Sequence, residues 1–163
     1  MRLLKYALLL GGSLLATLPA TSTVLTTNFN VKITITNECK ILTASDLIFG
    51  SHGIIDTNVD QTSTIGVQCT AGQTYVVGLG LGNGVGTTVG SRKMTGPGAA
   101  VVNYSLYQDG GHAQVWGITS GTDTQAGTGN GSVQSLTVYG RVPIQPTPVA
   151  GDYADIVQVT LTY

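Results

Sequence analysis

Hydrophobic and polar residues alternate with a period of two over the residues that precede the first cysteine. One face carries Leu25, Thr27, Phe29, Val31, Ile33 and Ile35, and the other carries Asn28, Asn30, Lys32, Thr34 and Thr36. Successive side chains of a β-strand point to opposite faces, so this period is typical of a half-buried strand. The pattern therefore predicts a long strand near the amino terminus.

Further strand-like runs follow along the rest of the chain. They cover residues 41–49, 62–69, 74–81, 100–107, 114–118, 132–143 and 153–163. Glycine- and asparagine-rich turns separate several of them, and no long window after the first segment shows a helical period without glycines. Seven or eight short strands with turns at regular spacing predict an all-β protein with a β-sandwich fold.

The first 22 residues have the three parts of a secretory signal. Arg2 and Lys5 supply positive charge, residues 6–16 are apolar, and small residues follow up to Ser22, with cleavage expected after Ala20 or Ser22. The apolar run is shorter than the roughly 20 residues that span a bilayer. We therefore expect residues 1–22 to be removed and residues 23–163 to form one exported domain without membrane insertion.

Composition excludes several classes of protein. Of the 163 residues only 9% are charged, and 42% are hydrophobic, which argues against disorder. The net charge of −1 leaves no basic surface for nucleic acid. Glycine is abundant, with 23 residues, but follows no collagen-like period. A folded domain without a nucleic-acid partner is expected.

Two cysteines, Cys39 and Cys69, are present. In an exported protein such a pair predicts one disulfide, which would stabilise the fold by roughly 3–4 kcal/mol on the chain-entropy model. The rival interpretation is a metal site. It lacks support because neither cysteine has a histidine or second cysteine at the spacing of a zinc motif.

Other candidate chemistry is weak. The glycine-rich residues 78–86 lack the lysine of a phosphate loop and the third glycine of a dinucleotide fingerprint. His52 lies near Asp46 and Asp56, but neighbouring residues in sequence do not supply the geometry of a catalytic triad. Trp116 could stack on a sugar, although in a sandwich strand it is more often a core residue. We expect no catalytic residues, no metal and no cofactor.

The two ends of the mature chain complement each other. A free amino-terminal strand with apolar alternate positions needs a groove to fill. At the carboxyl end, Tyr153, Val157, Val159, Leu161 and Tyr163 share one face, and the sequence ends where an immunoglobulin-like sandwich needs one more strand. Pattern alone leaves open whether the two terminal strands pair within one molecule or between molecules.

Several motifs occur in a characteristic order. They are Phe49-Gly50, Arg92-Lys93-Met94, Tyr104-Ser105-Leu106-Tyr107-Gln108-Asp109, Gln114-Val115-Trp116-Gly117, Tyr139-Gly140-Arg141-Val142-Pro143 and Gly151-Asp152-Tyr153-Ala154-Asp155. Together with the cysteine pair, this order resembles the spore coat protein U family, which includes subunits of archaic chaperone–usher pili. The resemblance covers essentially the whole mature chain.

The resemblance implies an immunoglobulin-like β-sandwich whose last strand is missing and is supplied by a donor strand from a neighbouring subunit. The implied donor strand covers about residues 24–33, and its inserting positions are Leu25, Thr27, Phe29, Val31 and Ile33. The implied chaperone and groove edge consists of Val157, Val159, Leu161 and Tyr163.

The implied function is that of a structural pilus subunit supporting adhesion and biofilm formation. Its expected partners are a periplasmic pilus chaperone, an outer-membrane usher, and identical or related pilin subunits in a head-to-tail polymer. It would pass through the periplasm to a cell-surface pilus. The alternatives are a monomeric secreted sandwich that binds carbohydrate through Trp116 and, more remotely, an exported hydrolase that uses His52.

Overall fold

The computed structural model describes residue 19 and residues 21–163, which fall into two units divided between Thr34 and Ile35. All strands of the described residues lie in the second unit. They are β1 (Cys39–Ala44), β2 (Val59–Cys69), β3 (Thr74–Leu79), β4 (Arg92–Thr95), β5 (Val101–Tyr107), β6 (Gln125–Thr128), β7 (Val133–Val142) and β8 (Val159–Thr162). Apart from a 3-10 turn at Pro97–Ala99, the described part is all β.

The strands form two antiparallel sheets. One has five strands in the order β1-β2-β7-β5-β4, and the other has three in the order β6-β3-β8. Alternate residues of both sheets form a common core, including Ile65, Val67, Tyr75, Val77, Leu79, Val102, Tyr104, Leu106, Val138 and Val142. The predicted all-β, immunoglobulin-like sandwich is confirmed.

The disulfide is confirmed. Cys39 in β1 bonds to Cys69 in β2, its direct partner in the strand register, with the two Cα atoms 4.1 Å apart. Both cysteines are buried. The bond therefore fixes β1, an edge strand, to the longest strand of the larger sheet.

Strand β4 was not predicted because its first residue is charged. Arg92 is nevertheless fully buried, and its guanidinium donates hydrogen bonds to the carbonyl oxygens of Leu79, Gly80, Val89 and Trp116 at 2.7–2.9 Å. Burial lowers the pKa of the Arg92 guanidinium. The four carbonyls compensate for the lost hydration, and this lets a cation occupy the interior.

Other boundaries also differ from prediction. Residues 114–118 form only one isolated bridge, between Val115 and Tyr107, rather than a strand. The short strand β6 was missed because Gln-Ala-Gly-Thr has little β propensity. The runs predicted at residues 41–49 and 153–163 are only partly paired. The paired strands observed there cover residues 39–44 and 159–162.

The predicted signal peptide falls almost entirely outside the described residues and stays a prediction. Within residues 21–163, no helix is long and apolar enough to cross a membrane.

Candidate functional site

A groove of about 970 Å³ opens between the two sheets of the second unit. Its walls are two segments that lie almost wholly outside the strands. They are residues 44–53, starting at the last residue of β1, and residues 147–157, before β8. Its floor is apolar and includes Ile65, Leu79, Met94, Val102, Leu106, Val138 and Val142. Core side chains are therefore accessible along the line where an additional strand would close the sandwich.

The first wall is strand-like in side-chain pattern. Leu47 and Phe49 are half-buried against the core, whereas Ile48 between them is 72% exposed. Gly140 in β7 makes this packing possible, because a Cβ there would lie 2.6 Å from Leu47 Cδ1. The Phe49 ring also meets Tyr104 edge-on, with ring centres 6.4 Å apart.

The second wall alternates in the same way and continues into β8. Tyr153, Val157, Val159 and Leu161 are half-buried against the core, and Ile156 is 73% exposed. The predicted inward face is thus observed for Val157, Val159 and Leu161. Tyr163 differs, since 58% of its surface is exposed.

The backbones of both walls are largely unpaired. Ser45 N donates to Thr64 O at 2.9 Å, but residues 46–54 make no backbone–backbone hydrogen bond within the described part of the chain. In the second wall, Ala154 pairs with Thr95 and Gln158 O accepts from Gly80 N, whereas residues 155–157 make no backbone–backbone bond to described residues. Segments whose backbone is not paired with another strand are the usual template for an added strand.

Side-chain and backbone contacts join the two walls at one end. Ile55 N donates to Thr147 Oγ1 at 2.9 Å, and Gln145 N donates to Ile55 O at 3.4 Å. Beside them, Ile144 N donates to Asn58 Oδ1 at 3.1 Å. The first wall runs towards this junction and the second wall runs away from it, so the walls are antiparallel to each other.

Hydrogen bonds to the Asp155 side chain hold the second wall in place. Its carboxylate accepts hydrogen bonds from Tyr104 Oη at 2.7 Å, Asn83 N at 2.7 Å and Ile156 N at 2.8 Å. Gly82 lies so close to this carboxylate that any side chain there would collide with it. Burial, reinforced by the bond to Asp155, raises the pKa of Tyr104, which therefore stays a hydrogen-bond donor.

Strand β8 lies at the edge of the three-stranded sheet. It pairs with β3 on one side, where Thr162 lies opposite Val76 and Val159 lies opposite Leu79. Its opposite side has no neighbouring strand in the described part of the sheet, and it continues the unpaired second wall. Of the four residues predicted as an edge, Val157 and Val159 line the groove.

The amino-terminal unit differs from its prediction. Residues 21–34 contain no strand, and Leu25, Phe29, Val31 and Ile33 are 84–95% exposed. Thr27 on the same face is also exposed. The alternating pattern shows which side chains would share a face of a strand. The segment forms a β-strand only where a partner strand supplies hydrogen bonds to its backbone.

The structure does not assemble a catalytic or sugar-binding site from the other candidates. His52 Nε2 lies 2.8 Å from Phe49 O rather than in a triad. Trp116 is fully buried, and its indole donates to Val77 O at 2.8 Å, so it cannot stack on a ligand. Among residues 21–163 there is no cluster of three or more potential metal-ligating side chains.

A two-sheet sandwich with an open groove and unpaired walls defines an immunoglobulin-like domain that lacks one strand. The chain belongs to the Spore Coat Protein U domain family, whose model matches residues 25–160. It is 32% identical over 165 residues to "Protein U" of Myxococcus xanthus, with 93% of this chain and 92% of that protein covered.

The fold is also similar to a chain of the crystal structure of the CsuC-CsuE chaperone-tip adhesion subunit pre-assembly complex from archaic chaperone-usher Csu pili of Acinetobacter baumannii. The TM-score is 0.60 at 20% identity. The match covers 80% of this chain but only 41% of the solved one, so this chain spans less than half of that neighbour.

Several of the sequence motifs contribute residues to the groove or its walls. Phe49, Gly140, Tyr104 and Asp155 come from four separate motifs, and they fix the two walls to the floor. Sequence reasoning did not identify the groove walls as unpaired segments, because a period of two gives no indication of whether a partner is present.

Proposed function

We propose that this chain is a pilin, a structural subunit that polymerises by donor-strand exchange along the chaperone–usher route. Residues 24–33 of one subunit would fill the groove of the next, and the observation that carries the proposal is the pair of unpaired groove walls. The solved neighbour, a chaperone–tip subunit complex, supports the same assignment.

The inserting face would supply the driving force. Leu25, Phe29, Val31 and Ile33 are almost fully exposed, so each could gain about 1.5–3 kcal/mol from burial in the groove. Main-chain bonds to the two walls would add roughly 0.5–1.5 kcal/mol each. Ten extended residues reach about 33 Å, which matches a ten-residue stretch, residues 153–162, made of the last part of the second wall and β8.

Assembly would need partners before the groove is filled. We propose that a periplasmic chaperone first lends a strand along Val157, Val159, Leu161 and Tyr163, and that an outer-membrane usher directs the exchange. Because donor and acceptor are different surfaces, the contact is head-to-tail and generates an open filament. The subunit would then pass from the periplasm, after removal of residues 1–22, to a surface pilus serving adhesion and biofilm formation.

The test is to express the mature chain with and without a pilus chaperone and to measure its oligomeric state. We expect a soluble heterodimer with the chaperone and head-to-tail oligomers, or insoluble protein, without it. A stable monomer in both conditions, with residues 24–33 protected from proteolysis, would instead show that the chain completes its own sandwich.

A further inference from the structure

Two asparagine–glycine pairs occur in nearly identical local sequence. They are Asn83-Gly84 and Asn130-Gly131, each preceded by a glycine. Asparagine before glycine is prone to spontaneous deamidation, because the following amide nitrogen is not shielded by a side chain and can attack the asparagine amide. Both asparagines are exposed to solvent. Sequence alone therefore gives no reason to distinguish them.

The fold protects the second pair. Gly131 N donates to Cys69 O at 3.1 Å, and Asn130 Oδ1 accepts from Ser132 N at 2.9 Å. Both the attacking nitrogen and the amide under attack are thus held in hydrogen bonds. They must be released before the nitrogen can reach the side-chain carbon.

The first pair lacks this protection. Neither Gly84 N nor the Asn83 side chain has a hydrogen-bond partner among residues 21–163. Gly84 also packs against β4, where a Cβ would lie 2.6 Å from Lys93 O. Packing therefore demands glycine at the position that makes Asn83 reactive.

We propose that Asn83 is a site of selective spontaneous deamidation in the folded protein. Gly84 N attacks Asn83 Cγ, the new N–Cγ bond closes a five-membered succinimide, and Nδ2 leaves as ammonia after proton transfer. Water then opens the ring and yields aspartate or isoaspartate at position 83. Water is the only co-reactant and no redox step is involved.

The product changes the charge next to the second groove wall. Asn83 N donates to Asp155 Oδ1, and the same carboxylate accepts from Tyr104. A new carboxylate at position 83 lies close in space to the negative charge of Asp155, and the repulsion between the two weakens this anchor. The isoaspartate form also lengthens the main chain by one methylene.

The test compares the two sites within one molecule. The mature protein, purified alone and in complex with a pilus chaperone, is incubated in mildly alkaline buffer, folded or in denaturant, and deamidation at each site is followed by peptide mass spectrometry. In the folded protein we expect Asn83 to react at least roughly tenfold faster than Asn130, since two ordinary hydrogen bonds protect Asn130. In denaturant the two rates should converge, and Asn83→Gln should suppress reaction at position 83.

Equal rates at the two sites in the folded protein, or a faster reaction at Asn130, would overturn the proposal. An Asn83 amide that stays intact in the folded protein while it reacts in denaturant would overturn it as well. None of these outcomes depends on whether the chain forms a pilus. A second readout is stability, since Asn83→Asp should lower the melting temperature more than Asn83→Gln at neutral pH.

Discussion

Replacing Phe29 with Asp places a charge on the proposed inserting face without altering the sandwich itself. Phe29 lies in the amino-terminal unit and is 86% exposed, so the change removes almost no contact from the folded monomer. The subunit should therefore fold and bind a chaperone as before. Its ability to donate a strand should be lost.

The magnitude follows from exposure and charge. Nearly the whole phenyl ring is available for burial, and losing that burial removes about 1.5–3 kcal/mol from strand insertion. An aspartate forced into an apolar groove adds a desolvation penalty of several kcal/mol. A combined loss of about 4 kcal/mol or more corresponds to roughly a thousandfold weaker insertion.

Asn30→Asp is the matched control because it adds the same carboxylate one residue away, on the polar face. Both variants are co-expressed with a pilus chaperone, purified as complexes, and compared for fibre yield by sedimentation and electron microscopy. Fibres should form with Asn30→Asp and be absent with Phe29→Asp. Equal fibre yields from the two variants would refute residues 24–33 as the donor strand.

Three further predictions concern the sandwich. Cys39→Ser should lower the unfolding free energy by up to roughly 3–4 kcal/mol and reduce the yield of assembled protein; two reactive thiols in the denatured, unreduced wild type would contradict the disulfide. Arg92→Lys should destabilise the protein by about 1.5–3 kcal/mol in chemical denaturation, because one ammonium cannot satisfy four carbonyls, and an unchanged midpoint would contradict this. The hydrogen bonds from Arg141 lower the pKa of Asp60 in the folded protein. This pair therefore stabilises the fold at pH values above the pKa of Asp60 in the unfolded chain, and the stabilisation is lost as the pH falls through the lowered pKa of the folded state. The contribution should stay below about 1 kcal/mol because the pair is partly exposed. Asp60→Asn should make the stability of the protein fall less steeply at acid pH than that of the wild type. Parallel stability–pH curves for the two proteins would contradict this.

The period-two pattern predicted side-chain faces more reliably than strand pairing. Strands β3, β5 and β7 lie close to their predicted positions, since paired strands there bury one face of an alternating run. Three further runs alternate equally well but lack ladders, namely residues 25–34, 45–49 and 153–158. The last two line the groove. In these two runs, alternation without strand pairing coincides with the open groove.

The remaining differences have local causes. Strand β4 begins with a buried arginine, which a hydrophobicity pattern cannot recognise because its four carbonyl partners are distant in sequence. In β6, Gly127 offers no side chain, and the Tyr75 ring from β3 covers it instead. Residues 114–118 look like a strand because of Val115 and Trp116. There Trp116 N donates to Leu106 O, the next residue, Gly117, accepts from Leu79 N, and the indole is buried.

The disulfide between β1 and β2 also determines how the domain bears mechanical load. Tension applied to the chain before Cys39 reaches a covalent bond before it reaches any hydrogen bond of β1. The force then passes into β2. This strand is paired with β7 over ten residues, and the pairing runs from Val59 opposite Val142 to Gln68 opposite Val133. Edge strand β1 is thereby bypassed and cannot be peeled away one hydrogen bond at a time. A pull from the amino-terminal side is instead delivered at Cys69, where the longest strand of the larger sheet ends and the chain continues to β3.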